Sequence, residues 1–392
     1  MSIIEKKSDL HNNMVTWRHH LHQRPELSFK EEITSDYIAS VLQSHDIEIH
    51  RGLAVTGIVA TIHGKRKGGS IGLRADMDAL PIQEKNNFSH KSIHEGKMHA
   101  CGHDGHSTML LGAAVYLKEH NDFAGTVYMI FQPAEEGGGG GRVMVEEGIY
   151  DKFPCQAVYG MHNWPGMDKG QFAVHDTAVM AANETLKISI LGKGGHAAMP
   201  EQCIDPVVIG AQIINAIQSV VSRNVAPLNS AVISITMVDA GFVSNVIPNE
   251  MNLTGSLRYF SKDVGDEVKE KIKNIVEGLS QSMGASATFE SIPNYPATIN
   301  TPKHAEICAK AAGMVVGEKN VHRNEPPSMG SEDFSFLLNA SEGAYIWIGN
   351  GLVPEDSPAG GCMLHNTQYD FNDEILPFGS SYWVQLVQNI LK

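Results

Sequence analysis

Residues 126–161 read TVYMIFQPAEEGGGGGRVMVEEGIYDKFPCQAVYGM, and their punctuation decides the fold. Residues 126–132 form a short apolar run rich in β-branched and aromatic side chains, which predicts a strand. A glycine run follows, then a helical stretch at 142–150 and a second strand at 157–161. Outward from this core the alternation continues. Residues 57–63 and 71–80 read as strands and 105–120 as a helix. The first 45 residues read as two helices, the second near 30–45, broken at Pro25. A helix near 302–316, a strand at 344–348 and a final helix complete the pattern. Strands alternating with helices predict an α/β fold with a mostly parallel sheet between helices.

Residues 183–296 differ in character. A strand at 185–191 precedes Asp205-Pro206, which opens a helix with Asp as N-cap and Pro at the first helical position, running to about Arg223. Strands at 231–238 and 251–260 follow. Next comes a helix with Val264, Val268, Ile272, Ile275, Val276 and Leu279 on one face, then a strand near 287–292. The succession β-α-β-β-α-β is that of a ferredoxin-like α+β module. It interrupts a framework made of residues 1–182 and 297–392.

The chain has 392 residues, 42% of them hydrophobic, with 30 Lys and Arg against 44 Asp and Glu. The net charge of −14 argues against nucleic acid or an anionic membrane as a partner. No apolar run is long enough to span a bilayer, and MSIIEKKSDLHNN lacks the apolar core of a signal peptide. Five scattered cysteines suggest no disulfide framework, so a soluble cytoplasmic protein is expected.

With 19 histidines, metal sites merit a search. The densest cluster is Met98-His99-Ala100-Cys101-Gly102-His103-Asp104-Gly105-His106. A thiolate and an imidazole two residues apart on a glycine-bearing loop can face one divalent ion, against the plainer reading of a polar loop with incidental histidines. Gln132-Pro133-Ala134-Glu135-Glu136-Gly137 ends a strand. Adjacent carboxylates there can divide metal binding from proton transfer, or can simply form a solvated acidic turn. His162 and His365 sit at element ends, where α/β proteins bind ligands.

Three other patterns carry less. Gly68-Gly69-Ser70-Ile71-Gly72 matches the serine-hydrolase pattern, but Ser70 opens a strand instead of joining a strand to a helix. The run Gly137–Gly141 lacks the Lys-Ser/Thr of a phosphate loop. His19, His20 and His22 do not share one helix face and read as surface or packing residues.

Seven phrases occur in order: Leu73-Arg74-Ala75-Asp76-Met77-Asp78-Ala79-Leu80-Pro81, HACGHDGH, QPAEEGGGG, Gly160-Met161-His162-Asn163, Gly194-Gly195-His196-Ala197-Ala198, Asn245-Val246-Ile247-Pro248 and Gly330-Ser331-Glu332-Asp333-Phe334. Together they resemble the M20 metallopeptidase family, in its branch of N-acyl-amino-acid amidohydrolases, hippurate hydrolases and plant auxin-conjugate hydrolases. The resemblance implies metal ligands at Cys101, His103, Glu136, His162 and His365, with Glu135 as general base and Asp76 supporting the metal centre. It implies a lid at 183–296 that mediates dimerisation, His196 holding the substrate carbonyl oxygen, and Asn245 near the substrate carboxylate. Two departures stand out. Arg74 occupies a position that is His in other M20 branches, so the Cys101 and His103 pair replaces that arrangement. Asn366-Thr367 follows His365, where many relatives have a small residue and Pro.

The expectation is a two-metal amidohydrolase, with Zn, Mn, Ni or Co undecided by the donor set. It cleaves the amide of N-acyl amino acids with a metal-activated water and Glu135 as base, as a homodimer or higher homo-oligomer. The alternatives are a dipeptidase or aminopeptidase on the same metal core, or a non-catalytic metal-binding relative.

Overall fold

The computed structural model describes residues 3–351 and 363–392, and it divides into two compact units. The first comprises Met1–Val179, Ile299–Pro327 and Asp333–Lys392; the second comprises Met180–Thr298 and Ser328–Glu332.

The first unit is α/β. Its eight-stranded sheet runs Glu48–Leu53, Gly57–His63, Ala124–Gln132, Arg66–Asp76, Val158–Pro165, Gly343–Gly351, Phe172–Ala173, Val321–His322. The four strands from Ala124–Gln132 to Gly343–Gly351 are mutually parallel, and antiparallel pairing is confined to the flanks. Side chains alternate between faces, so one strand serves two packing layers. Ile58, Ala60, Leu73, Ala75, Met129, Phe131, Tyr159, Met161, Ala344 and Ile346 join one core, with Leu110, Leu111 and Trp383 from helices His103–Glu119 and Leu376–Ile390. The intervening positions include Arg74 and Tyr345, which meet Phe334 of helix Phe334–Ala340. The register sets Asp76 opposite Gln132 and Arg74 opposite Gly160. The C-terminal ends of strands Arg66–Asp76 and Ala124–Gln132 therefore lie together, beside the second half of Val158–Pro165, where α/β sheets bind ligands.

Several expected boundaries move. The strand expected at 71–80 spans Arg66–Asp76. Its partner ends at Gln132 and is followed by Pro133, which has no N–H to extend the ladder. The helix expected at 142–150 is two, Gly140–Glu146 and Ile149–Lys152, divided at Gly148 with φ +77°. Strand Glu48–Leu53 and helix Phe334–Ala340 add to the expected elements; the first is largely exposed and lacks the apolar signature of a buried strand.

In the second unit a four-stranded antiparallel sheet has the order Ala231–Asp239, Glu250–Tyr259, Ala182–Leu191, Ser286–Tyr295. Helices Pro206–Ser219 and Lys262–Ser282 supply Ile209, Ile213, Ile217, Val268, Ile272 and Val276 to a core with Leu186, Ile188 and Ile190. The Asp205 carboxylate accepts from the Val207 amide at 2.9 Å, making the expected N-cap. The helix stops at Ser219, and a π turn, Val220–Asn224, carries the chain past the expected end near Arg223. Among the described residues, no helix is long and apolar enough to cross a membrane.

Candidate metal centre

Asp78 organises the centre. Its carboxylate accepts the backbone N–H groups of Glu135 and Glu136, each at 3.0 Å, and the Ser28 hydroxyl at 2.8 Å. Its carbonyl faces His103 Nδ1 at 2.9 Å. One buried carboxylate thus fixes the backbone of the two glutamates while its own carbonyl orients an imidazole. Burial pushes the Asp78 carboxyl up, but the bonds from His103, Glu136 and Ser28 outweigh it and hold the group below its ordinary range.

With Nδ1 engaged, His103 presents Nε2 inward, and this buried atom has no hydrogen-bond partner. It lies 3.9 Å from Glu136 Oε1, which is likewise buried and without a hydrogen bond, and 3.8 Å from Asp76 Oδ2. His162 Nδ1 faces the Asn163 carbonyl at 2.6 Å, which turns Nε2 towards Cys101 Sγ at 3.3 Å. His365, with φ +64°, is anchored by its N–H to the Ala100 carbonyl at 2.7 Å, and its Nε2 sits 3.4 Å from Glu136 Oε1. Ligand atoms of Cys101, His103 and His162 lie within 4.8 Å of one another, as do those of Cys101, Glu136 and His365. Cys101 is common to both groups. All five expected ligands therefore meet in one place.

The donors fit divalent ions. Two buried polar atoms without partners are costly unless something positive sits between them. Burial alone would push His103 down, yet Asp76, Asp78 and Glu136 carry it up to about 10. Burial and three carboxylates, Glu136, Glu135 and Asp76, push the Cys101 thiol well up. Burial and the neighbouring His106 push His162 down, leaving the neutral imidazole a metal requires.

His106, from the same motif, has a different task. Asn163 donates to its Nε2 through both backbone N–H and side chain at 2.9 Å, so the proton sits on Nδ1, which donates to Asp76 Oδ1 at 2.6 Å. Asp76 Oδ2 accepts from Arg74 Nη1 at 2.7 Å. Arg74 also donates to Gln132 at 2.9 Å and to Asp333 at 2.9 Å. Arg74 is thus a buried strut beside the candidate metal pocket. Gly102, with φ +92°, is required there, because a Cβ would come within 2.4 Å of Asn163 Nδ2.

Glu135 is buried and its Oε1 accepts, at 3.4 Å, from the Asp333 amide. The turn holding it uses the glycine run as structure. Gly137 and Gly139 have positive φ, a Cβ on Gly140 would come within 1.8 Å of the Pro133 carbonyl, and the Gly141 N–H donates to Asp333 at 2.8 Å. The run lets strand Ala124–Gln132 turn sharply into helix Gly140–Glu146.

Behind the pocket, His22 takes the packing alternative of the two open to the first-helix histidines. It is buried, 2.8 Å from Asp104 and 3.3 Å from Glu84. Burial lowers its affinity for a proton, but Asp104 and Glu84 outweigh that and raise it to about 9. Buried Arg18 bridges Asp370 at 2.7 Å and Asp104 at 3.4 Å, tying the first helix to the start of helix His103–Glu119. His19 pairs with Asp373, and His20 stacks on Tyr37.

In the second unit, His196 and Asn245 are neighbours. Strand Gly195–His196 pairs with Val246–Ile247, and the Ala197 N–H donates to the Asn245 carbonyl at 3.0 Å. Both residues are exposed. The Ala198 N–H donates to His196 Nδ1 at 3.1 Å, which places the imidazole proton on Nε2 as an outward donor.

Residues 72–389 match the peptidase family M20/M25/M40. The chain is 38% identical to a hippurate hydrolase of Campylobacter jejuni, with all of both chains covered. It is 37% identical to an N-acetylcysteine deacetylase of Bacillus subtilis, covering 97% of this chain and 98% of the relative. A Bacillus subtilis crystal structure described as a dinuclear metal-binding peptidase of the M20 family superposes with a TM-score of 0.85 at 33% identity, covering 97% and 98% of the two chains. The chain belongs to peptidase family M20/M25/M40, as a metal-dependent amidohydrolase.

Proposed function

We propose that the protein hydrolyses the amide bond of N-acyl amino acids to a carboxylic acid and a free amino acid. The observation that carries this reading is the pair of buried, unpartnered atoms, His103 Nε2 and Glu136 Oε1, beside Cys101, His162 and the separate carboxylate of Glu135. Two divalent transition-metal ions, Zn, Mn, Ni or Co, would be held by Cys101, His103, Glu136, His162 and His365. Bound there, such ions polarise a carbonyl and lower the pKa of water.

Glu135 accepts the proton of the water that attacks the amide carbonyl, then delivers it to the departing amine nitrogen. Asp78 holds the glutamate turn through two amides, and Asp76 steadies the pocket through His106 and Arg74. His196 donates from Nε2 to the carbonyl oxygen, where negative charge develops. Asn245 donates its side-chain N–H groups to the substrate carboxylate. Residues 183–296 act as the lid. Their β-α-β-β-α-β succession supports this assignment, as does the pairing of His196 and Asn245 on one ribbon.

The lid also mediates a homodimer. Edge strand Ala231–Asp239 exposes Val232, Met237 and Val238, with Phe242 exposed just beyond it, an edge that a second copy would cover. A monomer in sedimentation at micromolar concentration would remove this part of the reading. A cytoplasmic location is supported by Cys101, Cys155, Cys203 and Cys308, all unpaired.

The substrate reading is tested with benzoyl-glycine and benzoyl-glycinamide. Charge-assisted hydrogen bonds are worth about 1.5–3 kcal/mol each, so the free acid should have a kcat/KM about ten- to hundredfold higher. Asn245→Ala should narrow the gap by weakening the acid alone. Equal values in the wild type would refute carboxylate recognition and favour a less selective amidase or peptidase.

A further inference from the structure

The segment Pro25-Glu26-Leu27-Ser28-Phe29-Lys30-Glu31 joins the first two helices, and its side chains reach the backbone that carries Glu135. Glu31 is fully buried. Its Oε1 accepts the Ala134 N–H at 2.9 Å and the Phe29 N–H at 3.0 Å, while its Oε2 accepts the Thr56 hydroxyl at 2.7 Å. Ala134 immediately precedes Glu135 and has φ +58°, a left-handed conformation that a residue with a Cβ holds only when its surroundings enforce it. On the other side of the turn, Ser28 donates to Asp78, whose carboxylate holds the Glu135 and Glu136 amides. The Phe29 ring fills the space beside Gly138, where a Cβ would come within 2.6 Å of it. The main chain of the segment is itself tied down, since the Ala79 N–H donates to the Glu26 carbonyl at 2.8 Å and Leu27 bridges to Ala79.

We propose that Glu31 is a positioning residue for the hydrolytic reaction, holding the left-handed Ala134 so that the Glu135 carboxylate is aimed at the attacking water. The inference rests on the reading of Glu135 as general base. Glu31 lies more than a hundred residues from that base in sequence and touches no expected metal ligand, so it acts on orientation and not on metal affinity. Small misplacements of a catalytic group cost up to about 10²-fold in rate.

The experiment compares Glu31→Ala, Glu31→Gln, Thr56→Val and Glu135→Gln with the wild type, all as full-length, metal-loaded protein. It measures kcat and KM for benzoyl-glycine, bound metal and Tm. Glu31→Ala should lower kcat about 10–100-fold with KM and metal content within about twofold of wild type. Glu31→Gln should recover most of the loss, because its carboxamide oxygen still accepts the Ala134 N–H and Thr56 can turn to accept from the amide. Thr56→Val, which removes one of the three bonds that orient Glu31 and leaves its bond to Ala134, should lower kcat about three- to tenfold and decides the matter if Glu31→Ala does not fold. Wild-type kcat in Glu31→Ala, or in Thr56→Val where the former does not fold, overturns the proposal. So does a loss in which Glu31→Gln fares no better than Glu31→Ala. Full turnover by Glu135→Gln would instead overturn the base assignment on which the proposal rests.

Discussion

Glu135→Gln turns over benzoyl-glycine about 10²–10⁴-fold more slowly than the wild type while retaining its metal. The amide preserves the shape of the side chain but cannot accept the water's proton. The bonds that fix this residue to Asp78 run through its backbone N–H, so the substitution leaves them intact. Glu136→Gln gives the opposite result and loses metal. Its Oε1 lies 3.4 Å from His365 Nε2 and 3.9 Å from His103 Nε2, and a neutral amide there removes a charge the donor set requires. Kinetics and elemental analysis of the two variants check the division, and the reverse pattern would exchange the roles of the two glutamates.

Cys101→Ser has the second large effect. Cys101 belongs to both ligand groups, with His103 and His162 and with Glu136 and His365, so its loss weakens both at once. An alcohol is a far poorer ligand than a thiolate at neutral pH. Metal affinity should fall about a hundredfold or more, since removing even an outer partner of a ligand costs 10–100-fold. The hydroxyl is no larger than the thiol, so Tm of the metal-free protein should change little. Undiminished metal content after dialysis against a competing chelator would place Cys101 outside the donor set.

Four of the candidate site residues were legible because they cluster in short motifs, Cys101 with His103 at the start of a helix and Glu135 with Glu136 just past a strand. Those motifs lie beside turns, where local sequence determines local geometry. The central α/β alternation was legible for the same reason, since periodicity reports burial directly. The supports were not. Asp78 sits two residues past Asp76 and reads as part of a strand, yet its partners are Ser28 and the amides at 135 and 136. Arg18 meets Asp370 across 352 residues, and His22 meets Asp104 across 82, so no spacing rule brings them together. Glu31 belongs to no motif, lying at the start of the stretch 30–45 that reads as a helix. Buried charges of this kind are visible only once the fold pairs them.

The central claim is that metal held by these five residues supports amide hydrolysis, and the most direct measurement follows activity as metal is returned. Wild-type protein is stripped with chelator, its metal content verified by elemental analysis, and benzoyl-glycine hydrolysis recorded as Zn, Mn, Ni or Co is added in steps. The account predicts no turnover in the stripped protein, recovery with at least one of these ions, and a plateau when about two ions per chain are bound. Full activity in protein verified to be metal-free would contradict it.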